Sequence, residues 1–137
     1  MKTGPRPLIG ISANSMEALP RRTRVHATGE RNIKSLLKMV DCIPVLLPPT
    51  GAATDVAELV AHMDGFVLTG GRANVEPHHY GGPAFPPDEP IDPGRDAVVL
   101  PLVQCLGHLE LLLVPQLVQQ QVLLKHFGLW IKKFPIL

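Results

Sequence analysis

The sequence predicts an α/β protein built on a parallel sheet, and three observations carry that prediction. Short apolar runs alternate with amphipathic segments in the order strand, helix, strand, helix, strand. The runs are near-continuously apolar, as strands covered on both faces should be. The third run ends in Gly70-Gly71, beyond the carboxyl end of a strand, where open α/β sheets bind their ligands.

Leu8-Ile9-Gly10-Ile11-Ser12 follows a proline-rich start and reads as the first buried strand. Ser12 to Gly29 is polar, with Arg21, Arg22 and Arg24, and reads as a loop. From Glu30 to Val40 the apolar residues Ile33, Leu36, Leu37 and Val40 fall three and four apart, which predicts a helix. Ile43 to Leu47 is the second strand, stopped by Pro48-Pro49. Thr54 or Asp55 can cap a helix running through Met63, with Val56, Leu59, Val60 and Met63 on one face. Gly65 to Thr69 is the third strand. Residues 72–95 hold six prolines and read as a long irregular loop, a kind of segment that often carries function. Asp96 opens another helical pattern, interrupted by Pro101.

Charge is balanced, with 13 Lys and Arg against 12 Asp and Glu, so no whole-protein field directs the chain to nucleic acid. Arg21-Arg22-Thr23-Arg24 is too short a basic patch to change that and reads as a solvated loop. Hydrophobic residues make up 45%, enough for a core. Two cysteines, Cys42 and Cys105, exclude a disulfide framework and a four-cysteine zinc site. Met1 to Gly10 lacks the apolar run of a secretory signal, which predicts a reducing cytoplasm. Neither a Walker A nor a dinucleotide-binding glycine motif is present, and no cofactor is expected. His78 and His79 are neighbours. On an extended segment they would point opposite ways, so no metal site is expected there.

The composition breaks along the chain. Residues 97–137 keep only Glu110, Lys125, Lys132 and Lys133 as charges yet hold 12 leucines, against 8 in residues 1–96. Pro101, Pro115, Glu110 and several glutamines argue against a membrane span and for a buried or aggregation-prone segment. Trp130, Lys132 and Lys133 form an amphipathic end that specifies no partner.

The glycine pair is the most informative site feature. Amides exposed at such a turn can stabilise the oxyanion of acyl transfer. The loop that follows runs Gly70-Gly71-Arg72-Ala73-Asn74-Val75-Glu76-Pro77-His78-His79-Tyr80-Gly81, and later Asp92-Pro93-Gly94-Arg95-Asp96. It closely resembles the gamma-glutamyl-gamma-aminobutyrate hydrolase family, the C26 peptidases of the class I glutamine amidotransferase superfamily. The Pro-Leu-Ile-Gly-Ile strand, the stretch from Glu30 into Ile43-Pro44-Val45-Leu46-Leu47-Pro48, and Met63-Asp64-Gly65 match as well. The resemblance covers about residues 5–103.

It implies a flavodoxin-like three-layer sandwich and hydrolysis of small gamma-glutamyl amides through an acyl-enzyme, with a place in putrescine degradation. It also implies a Cys-His-Glu triad whose thiol sits in a Gly-x-Cys-x-Gly elbow. Carried over, the amides of Gly70 and Gly71 belong to the oxyanion hole, and Asn74, Tyr80 and Arg95 shape or brace the substrate side.

The chain departs from the family where the nucleophile should stand, near Leu117. No Gly-x-Cys-x-Gly occurs in it. Cys105, in Gln104-Cys105-Leu106-Gly107-His108, comes too early by a strand and a turn and is a weak candidate. His108 and Glu110 imitate the family's His-x-Glu by chance. The expected organisation is therefore a partial domain over 1–103 and an apolar tail over 104–137. That tail is of the kind a frameshift, an alternative splice or a shortened gene model produces, and it could drive homo-oligomerisation or aggregation. The expected function is that of a gamma-glutamyl hydrolase left incomplete and inactive on its own. The alternatives are a non-catalytic module for a gamma-glutamyl ligand or partner, and a truncated product without function.

Overall fold

The structure is a computed structural model that describes residues 4–107. The readings that concern His108, Glu110, Trp130 and most of the apolar tail fall outside those residues. Strand β1 (Leu8–Ser12) lies at the centre of a parallel three-stranded sheet. Strand β4 (Ile43–Leu47) flanks it on one side and β5 (Gly65–Val67) on the other. Between β1 and β4 come an antiparallel hairpin, β2 (Asn14–Ala18) with β3 (Thr23–Ala27), and helix α1 (Glu30–Met39). Helix α2 (Val56–His62) joins β4 to β5, and α3 (Pro93–Gly107) closes the described part. With the hairpin set aside, the strand order β4-β1-β5 is the 2-1-3 start of a flavodoxin-like sheet, so the fold is the expected α/β class.

The register follows from side-chain alternation. Ile9 and Ile11 point from β1 into one layer, where they pack with Val67, Leu36 and Cys42 beneath α1. The opposite face carries Leu47, Phe66 and Leu68, covered by Val99, Leu102 and Leu106 of α3 and by the apolar side of α2. Gly10 belongs to this second face. A Cβ there would stand 2.8 Å from Leu47 Cδ1 and 3.1 Å from Phe66 Cδ1, so the central strand needs glycine for the two large side chains to meet over it. Pro44 is tolerated in β4 because, among the described residues, that strand pairs on one side only. Asp64 pins the start of the sheet: its carboxylate accepts from Leu8 N at 2.8 Å, and its own amide donates to Leu8 O at 2.9 Å.

The α2 cap is Asp55, whose Oδ1 accepts from Glu58 N at 3.0 Å. Helix α3 begins three residues earlier than the expected Asp96. Asp92 caps it through Arg95 N at 3.1 Å, and Pro93 takes the first helical position, where a missing N–H costs nothing. The helix continues through Pro101 and past the composition change, and Leu106 is buried in the core. No helix among the described residues is long and apolar enough to cross a membrane.

A further expectation is overturned. Ser12 to Gly29 is not a loop but holds the β2–β3 hairpin, paired from Asn14↔Ala27 to Ala18↔Thr23. Its strands are polar and largely exposed, so no hydrophobic run marks them. A lone two-stranded ribbon is marginal in water, and this one is fastened to the body. Ser15 N donates to Asp92 Oδ2 at 2.7 Å, so one carboxylate caps α3 and clips the hairpin.

Candidate functional site

The carboxyl ends of β1 and β5 are tied by a small polar network. Thr69 N donates to Ser12 Oγ at 2.8 Å, and Thr69 Oγ1 donates to Ser12 O at 2.9 Å. Thr28 Oγ1 donates to Thr69 Oγ1 at 3.4 Å, and Asn32 Nδ2 donates to Thr28 Oγ1 at 3.2 Å, which brings the start of α1 into the same set. Ser12 and Thr69 are both buried, so satisfying these hydroxyls is what makes their burial affordable.

Just beyond, Gly70 and Gly71 lie exposed at one wall of a cleft of about 700 Å³. Asn14 and Glu17 of the hairpin line the same cleft, with Thr28, Arg72 and Asp92. The carbonyls of this turn are drawn into the protein. Asn14 Nδ2 donates to Gly70 O at 3.4 Å, and Arg95 Nη1 donates to Ala73 O at 2.6 Å. Among the described residues, the amides of Gly70 and Gly71 donate to nothing. A turn with tied carbonyls and unspent amides at the mouth of a cleft is suited to receive negative charge.

Gly71 is glycine for want of space, not for a left-handed backbone; the left-handed glycines of the described residues are Gly51 and Gly81. A Cβ on Gly71 would overlap the Asn14 side-chain amide and stand 3.2 Å from Arg95 Nη1.

Arg95 is almost wholly buried, at 1% exposure. Its Nε and Nη2 donate to Asp96 Oδ1 at 3.1 and 2.8 Å, and Nη1 also reaches Asn14 Oδ1 at 3.3 Å. Asp96 Oδ2 accepts from Glu76 N at 3.1 Å. The pair thus holds the loop from inside, and neither residue lines the cleft. Asn74 is half-buried and donates to Glu89 Oε1 at 3.4 Å across the same loop. Tyr80 is exposed and lies over Gly82. The structure therefore brings Gly70 and Gly71 to the cleft, sets Arg95 directly behind them, and leaves Asn74 and Tyr80 farther along the loop.

Cys105 is partly exposed near the end of α3. At about 1.5 Å of rise per residue it stands roughly 20 Å along the helix from Asp92, which lines the cleft. Cys42 is buried beneath α1, and burial pushes its thiol above the ordinary range, with Arg6 pulling partly back and Asp41 adding to the rise. Asn14, Thr28 and Asp92 are cleft residues that sequence reasoning missed. Asp92-Pro93 is a helix-start signature that was there to be read; Asn14 carries no signal short of the hairpin itself.

The sequence model of the Peptidase C26 family matches residues 7–110. The gamma-glutamyl-gamma-aminobutyrate hydrolase PuuD of Escherichia coli (strain K12) is 34% identical over 85 residues, covering 60% of this chain and 33% of the relative. The gamma-glutamyl-gamma-aminobutyrate hydrolase of Shigella sonnei (strain Ss046) matches to the same extent. The chain thus spans about a third of the length of the curated relatives it matches.

Proposed function

This chain belongs to the peptidase C26 family, and we propose that it supplies the substrate-cradling side of a gamma-glutamyl amide hydrolase. The observation that carries the reading is the Gly70–Gly71 turn, where Asn14 ties the Gly70 carbonyl and Arg95 the Ala73 carbonyl just beyond, while the exposed amides of Gly70 and Gly71 donate to nothing among the described residues. Acyl transfer to a thiol passes through a tetrahedral oxyanion, and preorganised backbone amides stabilise it without reorganising at the moment of reaction. The names of the relatives supply the substrate class, a small gamma-glutamyl amide. Asn74 and Tyr80 lie on the loop that extends from the cleft and brace it from there, and Arg95 acts from behind, through Ala73 and Asn14. Two free thiols and no disulfide among the described residues suit a reducing cytoplasm.

The nucleophile is the missing part. No Gly-x-Cys-x-Gly occurs in the 137 residues, and Cys105 stands at the far end of α3 from the cleft. By themselves these residues bind and do not hydrolyse, because without an attacking thiol there is no acyl-enzyme. The test is a titration of the amide-labelled chain with a gamma-glutamyl amide at millimolar concentration, followed by NMR and by an assay for released amine. The expected result is a saturable shift of the Gly70 and Gly71 amide signals with no amine released. Shifts that spare both glycines would overturn the binding site, and turnover abolished by Cys105→Ala would overturn the inactivity.

A further inference from the structure

The loop between Gly71 and α3 gathers a second group of side chains, away from the cleft. Glu76, His78 and His79 each present one ligand atom, and these atoms all lie within 4.8 Å of one another. Adjacent histidines on an extended segment would diverge, and the sequence reading of this pair rested on that geometry. The segment is not extended. Pro77–His79 forms a 3₁₀ turn, which sets successive side chains about 120° apart and not opposite. The two imidazole rings come to 3.9 Å between centroids at an interplanar angle of 38°.

The backbone beneath them is held in place. Glu76 N donates to Asp96 Oδ2 at 3.1 Å, His79 N to Glu76 O at 3.1 Å, and Gly82 N to Pro77 O at 3.0 Å. Pro77 itself is buried. The side chains above stay accessible: both histidines are exposed and Glu76 is half-buried.

We propose that Glu76, His78 and His79 form a surface site for a divalent transition-metal ion of the zinc class. Two imidazole nitrogens and one carboxylate oxygen are a donor set that zinc accepts, whereas calcium and magnesium call for oxygen alone. Zinc–ligand bonds of about 2.0–2.1 Å require donors closer together than 4.8 Å. Metal binding therefore requires the exposed histidine side chains to rotate on the pinned backbone. Three protein donors leave a fourth position open. A groove of about 390 Å³ bordered by Glu76, His78, Phe85 and Glu89 adjoins the site, with room for water or a donor ligand to complete the shell.

The test is a Zn²⁺ titration of the 137-residue chain by calorimetry, with Mg²⁺ and Ca²⁺ as controls. The expected result is a saturable site for Zn²⁺ and none for the controls. Loss of even an outer-shell partner costs metal affinity about 10–100-fold, so His78→Ala or His79→Ala should weaken Zn²⁺ by at least about tenfold. Equal affinity and stoichiometry in the unsubstituted chain and in both variants would overturn the proposal. Ring-proton NMR of the unsubstituted chain gives a readout free of any variant. Zn²⁺ should shift the His78 and His79 signals together, and shifts confined to other histidines would equally overturn the site.

Discussion

Gly71 shows how narrowly a single residue can be constrained here. Its missing side chain leaves room for Asn14, whose amide bridges Gly70 O on one side and Arg95 on the other. Gly71→Ala should push Asn14 off Gly70 O and release the carbonyl that the turn keeps inward. Overpacking of this kind costs about 1–3 kcal/mol, and urea unfolding should show a loss of that size together with a weakened ligand-induced shift at Gly70. An alanine variant as stable as the parent and unchanged in binding would mean that the turn is not held as described. The glycine pair and Arg95-Asp96 were legible in the sequence because glycine and a charged pair at fixed spacing are visible in one dimension. Asn14 was not, because its role depends on two residues far along the chain meeting it in space. The geometry of the histidine pair was misjudged for a related reason: the prediction assumed an extended backbone with diverging side chains, and three residues of 3₁₀ turn set the rings 3.9 Å apart.

At the scale of elements, legibility follows burial. β1, α1, β4, α2 and β5 were predictable because each must put apolar residues on a covered face, and that requirement writes a period into the sequence. The hairpin has no such requirement, since it is held by side-chain and backbone hydrogen bonds to Asp92 and the glycine turn. Helix α3 is an intermediate case. Its start was set too late because Asp92 and Pro93 read as the end of a loop, and its proline argued for an interruption. Pro101 is tolerated because it lies on the exposed side, as does Ala97, the residue whose carbonyl loses its partner and can turn to water. Val98, Val99, Leu102 and Leu106 meanwhile keep the inner face continuous. Pro101→Ala should therefore stabilise the protein, by up to the roughly 3 kcal/mol that separates the two residues in a helix interior. A raised midpoint of thermal unfolding is the expected reading, and a lowered one would mean that the proline sets a bend the core depends on.

At the scale of the molecule, the sheet serves two layers at once. Ile9, Ile11 and Val67 face α1, while Leu47, Phe66 and Leu68 face α2 and α3, so β5 contributes neighbouring residues to both cores. Stripping either layer leaves one face of the strands in water, and two faces of one thin sheet cannot lose cover independently. Leu36→Ala opens the α1 layer and Leu102→Ala the α3 layer, each at a cost of about 2–5 kcal/mol. Against a typical total of about 5–15 kcal/mol, either loss is large. Both variants should shift one and the same transition, seen coincidentally by far-UV circular dichroism and by hydrogen exchange in α1 and α3. Two separated transitions in either variant would show the layers to be independent. The outcome bears on the cleft, because its walls come from opposite ends of this arrangement. The glycine turn follows β5, the hairpin follows β1, and Asp92 joins the hairpin to α3. If the layers unfold as one, Leu36→Ala should lower ligand binding only by the fraction of chains it unfolds. Raising stability with an osmolyte should then restore binding in proportion.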